Sequence, residues 1–192
     1  MLTVILSGGA SRRMKRDKAM LPFGGTTLLQ YLIDRYSAIG PVAVSVNRAG
    51  KYPFSGALEL TDRFPDCGPL NGLVSVFAET DAEEVLLTAV DLPFGEPTLG
   101  LRLSELRGDA DLGILRCGKK GLEPLYAVYG RRCGAAAEAC LAHGKKSMFD
   151  LLELVNVRYV EPTELPEFDL EYILTNMNTP EEYRALTAKT NE

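Results

Sequence analysis

The sequence predicts an α/β fold: a single domain built on a Rossmann-like, mostly parallel sheet with helices on both faces. Three observations predict it. Strand-like and helix-like segments alternate, the βαβαβαβ order that gives a parallel sheet. The run 85–90, VLLTAV, is almost continuously apolar, as expected of a strand covered on both faces. A length of 192 residues suits one domain, and two would be small.

Each element has its own signature. Residues 2–6 form an apolar run that reads as the first strand. Leu28, Leu29, Leu32, Ile33, Tyr36 and Ile39 follow helical spacing behind Thr26 or Thr27 as cap. Residues 42–46 make a second strand and 58–60 a weak third. Leu70, Leu73, Val74 and Phe77 mark a helix with Pro69 at its first position. The run 85–90 is the fourth strand. Residues 97–107 place Leu99, Leu103 and Leu106 on one side of a helix. Strands follow at 111–115 and 125–129, then a helix over 131–142 closed by Gly144. Ser147-Met148-Phe149-Asp150 is a capping box for a short helix. A late strand spans 155–160, and the acidic, proline-bearing stretch 161–169 reads as loop. Thr179-Pro180-Glu181-Glu182 is a strong helix start. No repeat, low-complexity tract or linker interrupts this order.

Composition narrows the class. Apolar residues make up 46% and charged residues 24%, which is ordinary globular usage. No apolar stretch approaches ~18 residues, and no signal-type segment opens the chain, so a cytoplasmic protein without membrane contact is expected. The net charge of −5 is uneven: residues 1–25 carry five bases and one acid, which leaves −9 on the rest. A mildly acidic protein with one basic loop is not a general nucleic-acid binder; it suits a small anionic ligand held at one place. None of the four cysteines forms a C-x-x-C pair, and Cys133 and Cys140 lie on an apolar helical stripe as buried, reduced thiols. The single histidine, His143, falls at a helix end, so His-based triads have little support.

The strongest motif is Leu6-Ser7-Gly8-Gly9-Ala10-Ser11-Arg12-Arg13-Met14-Lys15-Arg16-Asp17-Lys18. A buried strand that opens into Gly8-Gly9 frees backbone N–H groups to face an anion. Five of the seven residues from Arg12 to Lys18 are cationic. Lys18 is the expected direct phosphate ligand and Arg13 its assistant. The segment is neither a P-loop nor a G-x-G-x-x-G fingerprint, and a solvated basic turn is the plain alternative. Its position after a buried strand favours the anion seat. In sheets of this kind ligands sit at the carboxyl ends of strands. Gly8-Gly9, Asn47, Asp62 and Asp91 follow the first four strands in turn, so they converge on one edge. Asp91 can hold Mg²⁺, which takes one or two carboxylates plus phosphate oxygens and water; a turn aspartate is the alternative. Asp62 has the same two readings, with Arg63 beside it. Cys67-Gly68-Pro69-Leu70-Asn71-Gly72 leaves free N–H groups at a helix start, where Gly68 and Gly72 would let a flat or charged ligand approach. Lys119, Lys120, Lys145 and Lys146 form two later basic pairs, and surface solubility is their ordinary role. Asn178 is a turn residue or a ligand contact.

These residues resemble the molybdenum cofactor guanylyltransferases, within the glycosyltransferase-A-like nucleotidyltransferases. The landmarks are the segment 6–18, Asn47, Asp62, Gly68-Pro69-Leu70-x-Gly72, Asp91-x-Pro93 and Asn176-x-Asn178-Thr179-Pro180. The resemblance implies a nucleotide-diphospho-sugar transferase-like fold, with nucleotide binding in about 1–100 and acceptor binding in about 101–192. It implies that GMP passes from GTP to the terminal phosphate of molybdopterin or molybdenum-molybdopterin, with release of pyrophosphate. It implies that Leu6, Ser7, Gly8 and Gly9 cradle the nucleotide through backbone groups, and that Lys18 holds phosphates. By the same resemblance Asn47, Asp62 and Gly68 would contact the nucleotide and Asp91 would bind Mg²⁺. Lys145, Lys146 and Asn178 are expected to line the acceptor side. GTP and the pterin are the implied ligands, and molybdoenzymes or their chaperones the implied protein partners. Lys15 stands where such proteins usually have glycine, and Ser7 where alanine is usual. The rivals are the same chemistry with CTP, or with an NTP and a sugar phosphate, and a non-catalytic GTP-binding partner in molybdoenzyme maturation.

Overall fold

The computed structural model describes residues 1–7, 17–64, 67–117 and 121–190. Its strands are β1 (Leu2–Leu6), β2 (Pro22–Phe23), β3 (Thr26–Thr27), β4 (Val42–Val46), β5 (Leu58–Thr61), β6 (Glu84–Ala89), β7 (Leu112–Arg116), β8 (Leu122–Gly130) and β9 (Val157–Val160). Its helices are α1 (Leu28–Tyr36), α2 (Pro69–Glu79), α3 (Pro97–Arg107), α4 (Arg132–Ala142), α5 (Met148–Leu151), α6 (Leu170–Ile173) and α7 (Pro180–Thr190). Seven strands form one sheet in the order β5-β4-β1-β6-β8-β7-β9. Only β8 runs against its neighbours, pairing antiparallel with both β6 and β7. The reason is local: the β7–β8 connection is too short for a parallel crossover.

Alternate residues of each strand enter two separate cores, as the two-residue period of a pleated strand requires. On β1, Ile5 packs with α1, α3 and α6, while Val4 packs with α2, α4 and α5. Leu86 of β6 belongs to the first core, and Val85 and Leu87 to the second. The main helices are nine or eleven residues long. Isolated helices of that length are marginal in water, so burial of their apolar faces, not propensity, holds them. No described helix is long and apolar enough to cross a membrane.

Local signals work as the sequence indicates. The Thr27 hydroxyl caps α1 by accepting from the Gln30 N–H at 3.2 Å. Ser147 and Asp150 complete the capping box of α5. Past α4, Lys145 N–H donates to the Cys140 carbonyl and Gly144 N–H to Leu141, a paired helix stop that sets where Lys145 begins. The β2–β3 hairpin, joined by Gly24-Gly25, and helix α6 are features that the periodicity does not announce.

Candidate active site

The carboxyl ends of β1, β4, β5 and β6 are stitched side by side. Ser7 N–H donates to the Ser45 carbonyl at 3.1 Å, Asp62 N–H to Val46 at 2.9 Å, and Val90 N–H to Leu6 at 3.1 Å. Of the expected convergence of Gly8-Gly9, Asn47, Asp62 and Asp91, the last three meet on one edge beside Ser7, and Gly8-Gly9 lie outside the described residues. Asn47 is exposed there, and Asp62 is half-buried.

Lys18 reaches this edge from a short 3-10 turn, Lys18–Met20, capped by the Asp17 carboxylate. Its side chain is only 12% exposed, and its Nζ lies 3.6 Å from Asp91 Oδ2. The same Nζ donates to Asn178 Oδ1 at 2.9 Å, across 160 residues of sequence. Asn178 is fixed in turn: its backbone N–H donates to Glu182 Oε2 at 2.6 Å, and Met177 N–H donates to the Asp91 carbonyl at 2.8 Å. So the start of α7 is pinned against the end of β6, and Lys18 is aimed between Asp91 and Asn178. Asp91 Oδ1 is buried and has no hydrogen-bond partner among the described residues. A carboxylate oxygen left this way costs roughly 1–3 kcal/mol unless a ligand satisfies it. Among the described residues, no group of three or more His, Cys, Asp or Glu could cage a metal alone. The donor set at Asp91 fits the hard ion Mg²⁺, which keeps waters and takes phosphate oxygens besides one or two carboxylates.

Burial pushes the Asp62 carboxyl above its ordinary value, against the opposing influence of the Ser45 hydroxyl at 3.4 Å and the Lys51 charge. Gly68 precedes α2 with φ +65, and the space its Cβ would enter is open except for the Lys146 carbonyl 3.9 Å away. That contact sets the Lys145–Lys146 segment beside the start of α2. Lys145 is already paired, with Glu153 at 3.2 Å and Asp150 at 3.9 Å.

The MobA-like NTP transferase domain model matches residues 3–158, most of the chain. The chain belongs to the MobA-like NTP transferase family. A relative from Carboxydothermus hydrogenoformans named "Probable molybdenum cofactor guanylyltransferase" is 33% identical over 187 residues, covering 96% of this chain and 94% of its own. A relative of the same name from Opitutus terrae is 34% identical, covering 93% and 90%. The crystal structure of molybdopterin-guanine dinucleotide biosynthesis protein A from Archaeoglobus fulgidus matches with a TM-score of 0.84 at 22% identity, over 100% of this chain and 99% of that one. A 2-C-methyl-D-erythritol 4-phosphate cytidylyltransferase from Thermus thermophilus shares the fold with a TM-score of 0.70 at 17% identity, covering 99% and 98%.

Several expectations change once this MobA-like chain is seen folded. Gly8, Gly9 and Arg13 lie outside the described residues. The backbone groups at the end of β1 already have protein partners: the Leu6 carbonyl takes Val90 N–H, Ser7 N–H goes to the Ser45 carbonyl, and the Ser7 carbonyl takes Lys51 Nζ at 3.1 Å. Gly72 does not make room for a ligand. A Cβ there would meet Leu6 Cδ2 at 2.6 Å and Ser45 Oγ at 3.4 Å, so its missing side chain lets α2 close onto the sheet. Asn178 sits with Lys18 and Asp91, whereas Lys145 and Lys146 sit by α2. His143 is exposed at the α4 end with Nδ1 2.8 Å from the Ala139 carbonyl. Cys133 is buried, and burial pushes its thiol up to about 12, which keeps it protonated.

Two residues of the site have no signature in the sequence. Lys51 and Tyr52 fold back over the end of β1 because the Glu59 carboxylate accepts from the N–H groups of Gly50, Lys51 and Tyr52. The only hint is a Gly-Lys-Tyr turn two residues beyond Asn47-Arg48, and nothing in its pattern says where it returns.

Proposed function

We propose that this chain transfers GMP from GTP to the terminal phosphate of molybdopterin or molybdenum-molybdopterin, releasing pyrophosphate and forming the guanine dinucleotide cofactor. Membership of the family and the names of the relatives support the reaction class. The observation that carries the reading is the Lys18–Asp91 pair. A nearly buried ammonium and a carboxylate with one oxygen unpartnered among the described residues meet where four strands end.

The acceptor is a phosphate monoester, already anionic near neutral pH, so its oxygen can attack the α-phosphorus of GTP without a strong general base. That suits a chain whose one histidine closes a helix. Lys18 holds phosphate oxygens and offsets their charge, and Asn178 keeps its ammonium in place. This is alignment with electrostatic stabilisation. Asp91 would hold Mg²⁺, which when bound neutralises the phosphates further. Asn47 and Asp62 face the base and ribose, Gly68 leaves room at the start of α2, and Lys145 and Lys146 border the acceptor. Molybdoenzymes or their chaperones would receive the product.

The test is pyrophosphate release from purified protein with molybdopterin and each of GTP, CTP, UTP and ATP, with and without Mg²⁺. The proposal expects release that needs the pterin, prefers GTP and stops on chelation. Preference for CTP, or release that ignores the pterin, contradicts it.

A further inference from the structure

The site residues above leave one cluster unexplained: Ser7, Asp17, Lys51 and Tyr52. The Tyr52 ring is 1% exposed, yet its hydroxyl is not spent on the core. It donates to Asp17 Oδ2 at 2.8 Å and lies 2.7 Å from Ser7 Oγ. A phenol has one proton, so with that proton on Asp17 the Ser7 hydroxyl must be the donor to Tyr52. Lys51 repeats the bridge in charged form. Its Nζ donates to the Ser7 carbonyl at 3.1 Å, lies 3.5 Å from Asp17 Oδ2, and sits 4.8 Å from the Tyr52 ring centre. Two adjacent residues thus tie Asp17 to the end of β1 through four polar contacts. Asp17 has a further task. Its other oxygen, Oδ1, accepts from Ala19 N–H at 3.1 Å and caps the turn whose first residue is Lys18. The chain of contacts runs from the sheet, through Tyr52 and Lys51, to Asp17, and from Asp17 to the residue aimed at Asp91.

We propose that Tyr52, with Lys51, is a positioning residue that acts through Asp17 to hold Lys18 against Asp91 and Asn178. The inference rests on the reading of Lys18 as a phosphate ligand. A fold staple would have no need of charge here: the Glu59 carboxylate already anchors the 50–52 backbone. The side chains do something separate, since they reach away from that anchor to Asp17. Burial also raises the Tyr52 hydroxyl above its ordinary value, with the Asp17 carboxylate adding to the rise, so the donor keeps its proton throughout the working pH range.

The experiment is a double-mutant cycle on the full chain, read as kcat and KM for GTP in the pyrophosphate-release assay, alongside thermal melts. Tyr52→Phe keeps the ring and removes the bridge. A hydrogen bond to a charged group supports an expected loss on the order of 10- to 100-fold in kcat/KM. On a Lys18→Ala background the same change should cost less than about three-fold, because the residue it positions is gone. Lys51→Met should lose activity as Tyr52→Phe does, and Lys51→Arg should recover most of it. It keeps the charge, and it supplies a second variant should Tyr52→Phe fold poorly. A Tyr52→Phe enzyme within about two-fold of wild type, or one whose full loss persists on the Lys18→Ala background, overturns the proposal. Wild-type activity in Lys18→Ala instead overturns the functional reading and the positioning role with it.

Discussion

Asp91→Asn separates function from fold more sharply than any other change. The carboxylate lies 3.6 Å from Lys18 Nζ, with its side chain 24% exposed. At an effective dielectric of ~20 the gross attraction is about 4–5 kcal/mol. Most of that is offset by the cost of removing both charges from water, and partly exposed pairs contribute about 1 kcal/mol or less net. Asparagine keeps the shape and removes the charge from the buried carboxylate, lowering its desolvation cost, while the atom at Oδ1 still has no described partner. Lys18 keeps Asn178. The two stability effects oppose each other, so ΔG should move by under about 1 kcal/mol, and Tm by under roughly 4 °C for a chain of this size. Activity has no such compensation. Losing one preorganised group that neutralises developing charge costs on the order of 10²–10³ in kcat. The assays are a thermal melt and pyrophosphate release on the same preparation. Near-normal turnover removes Asp91 from the reaction. A collapse of Tm shows instead that the pair holds the fold.

Three further outcomes follow from particular contacts. Burial raises the Asp62 carboxyl, so its charged form is disfavoured in the folded state and lowers stability at neutral pH; that penalty fades as pH falls through the folded pKa. Urea melts should therefore show Asp62→Asn more stable than wild type near pH 7, with the gap closing in acid, while nucleotide affinity falls; equal stability at both pH values contradicts the assignment. Gly68→Ala, at φ +65 and ψ −156, should cost about 1–3 kcal/mol of backbone strain and lower Tm accordingly, and an unchanged melt contradicts it. Charge reversal at Lys145 and Lys146 together should raise KM for the pterin, and an unchanged KM excludes this segment, which lies beside Gly68 at the start of α2, from the acceptor side.

Much of this fold is legible in one dimension because its central strands are covered on both faces. Residues 2–6 and 42–46 are apolar but for Thr3 and Ser45, and both bound the strands as observed. The start of β8 is less visible, since Glu123 and Pro124 interrupt the apolar run that becomes unmistakable only from Leu125. The two-residue strands of the β2–β3 hairpin are too short to show any period. At the site, the topological rule brings Asn47, Asp62 and Asp91 to one edge without knowledge of contacts. It cannot reveal the Lys18–Asn178 contact, which spans 160 residues, nor the return of Lys51 and Tyr52, which depends on Glu59 of a neighbouring strand. Gly72 shows the converse: a glycine in a loop-to-helix junction suggests ligand access, but the neighbour it accommodates is Leu6.

The most direct measurement is binding of GTP in the presence of Mg²⁺ to wild type, Lys18→Ala and Asp91→Asn, followed by calorimetry. A single site is expected on wild type, with affinity lost on the order of ten-fold or more in each variant, as Lys18→Ala removes a charge-assisted contact to phosphate and Asp91→Asn removes the carboxylate that would hold Mg²⁺ against it. Undiminished GTP affinity in both variants would place the nucleotide elsewhere on the molecule.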